Sequence, residues 1–97
     1  MTLSMNEKNL CDQLADVMDC IESVIASIGE TPSNYKGFGT IKNIAKNKDK
    51  NGFKNITFYL NNEGRMLYDN GVYSDDLDTE MEKAYLIVEQ LVPTPDG

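Results

Sequence analysis

Leu10, Leu14, Val17, Ile21, Val24 and Ile28 recur at intervals of 4, 3, 4, 3 and 4, the spacing that lines side chains along one face of an α-helix. Ser4-Met5-Asn6-Glu7, just ahead, is a capping box: the serine hydroxyl accepts from an orphan backbone N–H and the glutamate reaches back to the cap. Leu3 can serve as the hydrophobic staple, Gly29 as the residue after the last turn, and Pro32 as the stop beyond it. These signals predict a helix over 5–28. A second stripe, Leu77, Met81, Ala84, Tyr85, Val88 and Leu91, follows Ser74-Asp75-Asp76, whose cap and negative charge suit a helix N-terminus. Pro93 ends it, which predicts a helix over 75–92 and a tail over 93–97.

The middle of the chain carries turn signals. Residues 29–39 are rich in Gly, Pro, Ser and Asn and are predicted to be loop. Ile41 and Ile44 have helical spacing, but the neighbouring glycines and the turn that follows favour a strand over about 40–46. Asn51-Gly52 is a hairpin signal, because both residue types tolerate the positive φ of a type I′ turn. Ile56, Phe58 and Leu60 then alternate with Thr57 and Tyr59, predicting a strand over 53–60 with its apolar side chains on one face. Asn61-Asn62-Glu63-Gly64 marks another turn, 65–69 a third short strand, and Asn70-Gly71 its end. The expected fold is α+β: a three-stranded antiparallel sheet with two amphipathic helices, in the order αβββα. The Met and aromatic residues of the strands and second helix are assigned to its core.

With 97 residues and 40% apolar content, the chain suits one domain with one modest core. The start, Met-Thr-Leu-Ser-Met-Asn-Glu-Lys, lacks the basic region and apolar run of a signal peptide, and no stretch reads as a membrane span, so a cytoplasmic location is expected. Asn55-Ile56-Thr57 matches a glycosylation sequon that carries no meaning without secretion. Cys11 and Cys20 lie nine residues apart on one predicted helix. That separates them by ~13 Å along the axis, too far for a disulfide. Without histidine or a Cys-x-x-Cys pair, metal binding by them is unsupported, and they are expected to be packing or surface residues.

Catalytic signals are missing. The absence of histidine removes the usual general base and the Ser-His-Asp triad. Lys36-Gly37-Phe38-Gly39 has the glycine spacing of neither a P-loop nor a dinucleotide fingerprint. Asp76, Asp78 and Glu80 alternate like the start of a calcium loop, but Met81 stands where the turn glycine belongs. No catalytic residue, cofactor or metal ligand is therefore assigned.

Charge changes the picture more. The net charge is −7. Residues 1–35 hold six acids against Lys8, residues 36–54 six lysines against Asp49, and residues 55–97 nine acids against Arg65 and Lys83. On the first helix Asp12, Asp16 and Asp19 fall within a ~60° sector opposite the apolar stripe, with Glu22 beside them and no lysine three or four residues on. On the second, Asp75, Asp78, Glu82 and Glu89 make another row beside the apolar face, with Asp76 next to its start. Like charges at this spacing cost a few tenths of a kcal/mol each. Two readings stand: solvated faces of amphipathic helices, or rows of carboxylates that imitate the phosphates of duplex DNA and occupy a basic surface. The candidate partner-binding residues are Asp12, Asp16, Asp19, Glu22, Asp75, Asp76, Asp78 and Glu82. The lysines of 36–54, with Tyr35, Phe38 and Phe53 among them, make only a weak nucleic-acid signal without arginine, so direct nucleic-acid binding is not expected. Edge-strand lysines also guard a sheet against aggregation.

In its length, acidic rows, lack of catalytic equipment and predicted αβββα order, the chain resembles the small inhibitors encoded by phages. Among these it is most similar to anti-CRISPR proteins of the type I-F system, of the DNA-mimic kind. The resemblance implies binding to the RNA-guided surveillance complex in the bacterial host cell. The target would be the basic face that engages duplex DNA, and recognition would be blocked before strand opening. The lysine-bearing segment departs from a uniformly acidic mimic. A different class would show the same surface: an immunity or adaptor protein capping a basic toxin or another basic nucleic-acid-binding protein. A third, remote reading is a metal-dependent hydrolase built on Asp75, Asp76 and Asp78.

Overall fold

The computed structural model describes residues 3–91. The order is α1 (Met5–Ser27), a 3-10 turn (Pro32–Asn34), α2 (Lys36–Asn47), a second 3-10 turn (Lys50–Gly52), α3 (Phe53–Asp69) and α4 (Asp75–Leu91). Among the described residues there is no strand, so the protein is a small helical bundle and the αβββα expectation is wrong. Val92, placed in the second helix, and the tail over 93–97 lie outside the described residues.

The outer helices form where their stripes and caps put them. Ser4 Oγ accepts from the Glu7 N–H at 3.0 Å, Glu7 Oε1 accepts from the Ser4 N–H at 3.0 Å, and Leu3 is buried in the core. Ser74 Oγ likewise accepts from the Leu77 N–H at 3.0 Å and caps α4. At the end of α1 the Glu30 N–H bonds Ile25 C=O and the Gly29 N–H bonds Ala26 C=O, with Gly29 at φ +90°. This is a Schellman motif. Gly71 ends α3 the same way at φ +70°.

The three predicted strands are corrected to helix. The segment 40–46 belongs to α2, where Phe38, Ile41 and Ala45 are buried and Ile44 partly so; its 3-and-4 spacing outweighs the neighbouring glycines. Segments 53–60 and 65–69 are one helix. Its buried residues are Phe53, Ile56, Leu60, Glu63 and Leu67, at intervals of 3, 4, 3 and 4. Phe58, assigned to the inner face of a strand, is 67% exposed. Asn51-Gly52 does not make a type I′ turn: Gly52 has φ −84°, and an added Cβ would come within 3.1 Å of Ile44. Gly52 is thus needed for close approach rather than for a left-handed backbone.

α1 is the central helix, packed on α2 along one side and on α4 along the other, while α3 rests on α2. Contact on two sides explains why Cys11, Ala15 and Met18 are buried together with the predicted Leu10, Leu14, Val17 and Ile21. Ile28, the last residue of the predicted stripe, is instead exposed at the C-cap. Buried side chains from all four helices form one cluster. α3 and α4 pack on each other less than the neighbouring helix pairs α1–α4, α1–α2 and α2–α3 do, and a groove lies between them.

Candidate functional site

The fold treats the two acidic rows differently. Lys42 Nζ donates to Asp19 at 2.9 Å and also to Glu22, Lys48 Nζ donates to Asp12 at 2.9 Å, and Lys50 Nζ lies 3.4 Å from Glu7. Three of the four candidate acids on α1 are therefore ion-paired to lysines of the 36–54 segment. Those lysines, assigned to a hairpin, lie on α2 and the turn after it. The partners sit 20 or more residues away in sequence, which is why counting lysines at i+3 and i+4 missed them.

The electrostatics follow the contacts. The hydrogen bond from Lys42 holds the Asp19 carboxyl below its ordinary value, and Glu22 and Asp19 together raise the Lys42 ammonium. The hydrogen bond to Asp12 raises Lys48 in the same way. Glu7 is lowered first by the Ser4 N–H of the capping box and then by Lys50. Lys48 adopts a left-handed backbone at φ 51°, in the position that glycine takes at the ends of α1 and α3. Its side chain is the one that reaches Asp12.

Asp16 stands apart. It lines a groove of about 420 Å³ between α1 and α4, with Val17, Leu86, Ile87, Lys83 and Gln90 among its neighbours.

On α4 the picture reverses. Asp75, Asp76, Asp78 and Glu82 are exposed, and none takes part in an ion pair among the described residues; the α4 pair is Lys83 with Glu80, at 3.0 Å. Asp75, Asp76 and Asp78 occupy the first turn, where the helix dipole favours carboxylates, so part of their presence has a local structural reason. Glu82 lies beyond that turn. On a helix of 100° per residue, Asp75, Asp78, Glu82 and Glu89 share a ~60° sector, and Asp76 turns ~100° away from Asp75. Asp76 is thus separated from the row it was grouped with.

The acidic sector borders the α3–α4 gap, a groove of about 270 Å³ lined by Tyr68, Tyr73, Tyr85, Met81, Leu67 and Asp78, among others. The Tyr68 and Tyr73 rings meet edge to face, 5.8 Å apart at 77°, and are 69% and 60% exposed. Tyr73 Oη donates to Tyr68 C=O at 3.3 Å, and Tyr85 Oη donates to Asn61 Oδ1 at 2.9 Å, linking α4 to α3. Burial raises the Tyr85 hydroxyl above its ordinary value. A Cβ on Gly64 would lie 3.3 Å from Met81 Cε and 3.5 Å from Tyr85 Oη, so the glycine inside α3 lets these α4 side chains come close to it. Sequence reasoning assigned these tyrosines to core or passed over them. The detectable signal was Gly64, Tyr68, Tyr73, Asp78 and Tyr85 spread over a helix–turn–helix, legible only once 53–69 is read as helix.

Among the described residues no group of three or more His, Cys, Asp or Glu side chains is arranged to hold a metal ion. No helix there is long and apolar enough to cross a membrane. Comparison with protein-family models, curated proteins and solved structures finds no match to this chain.

Proposed function

We propose that this protein is a binding protein, not an enzyme, and that it inhibits its partner by presenting the carboxylates of α4 to a basic surface built for nucleic acid. One observation carries the reading: the negative charge is spatially sorted. The surplus acids of residues 1–35 are matched by the surplus lysines of 36–54, five against five, and the ion pairs join those two segments. The imbalance of the whole chain therefore resides in residues 55–97, where α4 holds Asp75, Asp78 and Glu82 without an ion pair among the described residues. Exposed like charges in a row attract a basic surface at long range and speed encounter with it.

The size and charge of the chain keep the type I-F CRISPR surveillance complex as the partner to test, although the element order that supported the resemblance is gone. A second reading has its own support. The tyrosine-lined groove beside the acidic sector offers a shape that duplex DNA does not, and it suits an immunity or adaptor protein made for one basic protein partner. In either case the ion-paired acids of α1, Asp12, Asp19 and Glu22, serve the fold rather than the partner.

The test is a gel shift in which purified surveillance complex binds a labelled target duplex in the presence of the protein. Wild type is expected to release the duplex, and a variant carrying Asp75→Asn, Asp78→Asn and Glu82→Gln to release much less. Undiminished duplex binding at saturating wild-type protein rejects the surveillance complex as the partner. Equal inhibition by the triple variant rejects α4 as the contact surface.

A further inference from the structure

We infer that the α3–α4 groove is a receptor for an arginine side chain of the partner protein, with Tyr68, Tyr73 and Tyr85 supplying ring surface and Asp78 the carboxylate. The inference rests on the proposed binding of a basic partner and names the group that partner inserts.

The argument begins with what the groove leaves free. The Tyr85 and Tyr73 hydroxyls already donate within the protein, to Asn61 Oδ1 and to Tyr68 C=O. Their polar ends are thus committed, and their rings are held in place. The lining combines the three tyrosines and Met81 with aliphatic Leu67, Val72 and Leu77 and a single acid, Asp78. A ring face carries negative partial charge and attracts a cation within about 6 Å. The edge-to-face pair of Tyr68 and Tyr73 presents surface in two directions, so a planar group can lie on one ring and meet the edge of the other. Asp78 decides the sign of the occupant, because an anion would meet its carboxylate in the lining, with Glu82 one turn further along the same face of α4. Neither basic residue of α3, Lys54 or Arg65, is among the groove-lining residues, so among the described residues this groove holds no cation of its own.

Guanidinium fits this set better than ammonium. It is planar, weakly hydrated, stacks on aromatic faces, and can give a carboxylate two parallel N–H donors. Ammonium is a compact, strongly hydrated charge that loses more on leaving water. Gly64 lines the same groove and lets the Met81 and Tyr85 side chains come close to α3, so a larger residue there would crowd the ring surface the guanidinium needs.

The probes are a tetra-arginine amide and a tetra-lysine amide, titrated against the full chain while the tyrosine ring resonances and intrinsic tyrosine fluorescence are followed. The arginine peptide is expected to shift the Tyr68 and Tyr73 rings and to bind roughly five-fold or more tighter than the lysine peptide. Gly64→Leu, which fills the groove, and Tyr73→Ala, which removes an exposed ring, should each abolish that preference while leaving the weaker charge-driven binding. Tyr73→Ala keeps the test valid if Gly64→Leu fails to fold. Equal affinity for both peptides, or arginine-induced shifts confined to other residues, overturns the arginine groove and leaves the carboxylate reading of α4 standing. Failure of both peptides to bind also overturns it. The proposed function is then judged on the duplex-release experiment, which does not depend on the groove.

Discussion

Glu63 is the charged residue the core accepts, 4% exposed within α3. Its Oε2 accepts from Asn62 Nδ2 at 3.1 Å, while Oε1 is buried without a hydrogen-bond partner in the protein. The carboxylate lies against Gly37 in the first turn of α2: a Cβ built there would stand 2.6 Å from Glu63 Cγ and 2.7 Å from Oε2. That helix has no side-chain cap, and a carboxylate at its N-terminus suits the dipole. Gly37→Ala should therefore destabilise the protein by about 1–3 kcal/mol, the usual cost of overpacking. Adding Glu63→Ala should recover part of that loss, because two side chains in contact are not independent. Urea melts of the two single variants and the double variant decide it; strictly additive effects would show that the contact does not limit stability. The same scale separates core from surface on α1. Ile21→Asp should unfold the domain, since a buried carboxylate without a partner costs several kcal/mol, whereas Asp12→Ala should stay folded because Asp12 is exposed. Thermal melts by circular dichroism check both, and a cooperative melt for Ile21→Asp would place that face of α1 outside the core.

At the scale of elements, α1 and α4 were legible because each has a cap, an apolar stripe of five or six residues and a stop. Ser4, Glu7, Gly29 and Ser74 make the contacts their positions implied. The middle was misread for identifiable reasons. Ile56 and Leu60 are four apart, and only the intervening Phe58, which faces solvent, made them look like alternation. Gly52 and Gly64 were taken as turn formers, but both sit where another element comes close, at Ile44 and at Met81. A glycine required by a neighbour and a glycine required by a turn are identical in sequence. The excess of acids on α4 was legible, whereas the neutralisation of those on α1 was not, because the lysines that pair with Asp12, Asp19 and Glu22 come from a distant element.

The clasp between α1 and α2 makes its own prediction. Asp19 is held below its ordinary value of 3.8 by the hydrogen bond from Lys42. A depressed carboxylate contributes stability that is fully present above its unfolded value and is lost as pH falls through its folded value. The contribution should therefore be complete above about pH 5 and fade below about pH 4. Lys42→Met removes the partner of Asp19 and Glu22. Wild type should exceed this variant in unfolding free energy from urea melts at pH 6, by under about 1 kcal/mol for a surface ion pair, and the gap should close by about pH 2.5. A gap that is constant from pH 6 to 2.5 would mean that the loss comes from the packing of the Lys42 stem rather than from its charge.

Over the whole molecule, a −7 chain with one half internally neutralised acts at a distance like a dipolar body with its negative pole at α3–α4. That asymmetry, rather than net charge, should govern its approach to a basic partner. At physiological salt, exposed charges are screened beyond roughly 8 Å, so association should slow as ionic strength rises while dissociation, set by short-range contacts, changes less. The two acidic rows should then differ. Replacing Asp75, Asp78 and Glu82 by their amides should lower the association rate and flatten its salt dependence. Replacing Asp12, Asp16 and Asp19 by asparagine should leave the rate nearly unchanged, because two of the three already spend their charge on Lys48 and Lys42. Amides are preferred to charge reversal, since a lysine at position 12 or 19 would face its former partner and loosen α1 from α2. Surface-captured partner, with each variant flowed over it at several salt concentrations, gives both rate constants directly. If the α1 set slows association as much as the α4 set, charge acts through the molecule as a whole and the sorted arrangement carries no function; if only the α4 set does, the fold has divided its acids between holding itself together and reaching its partner.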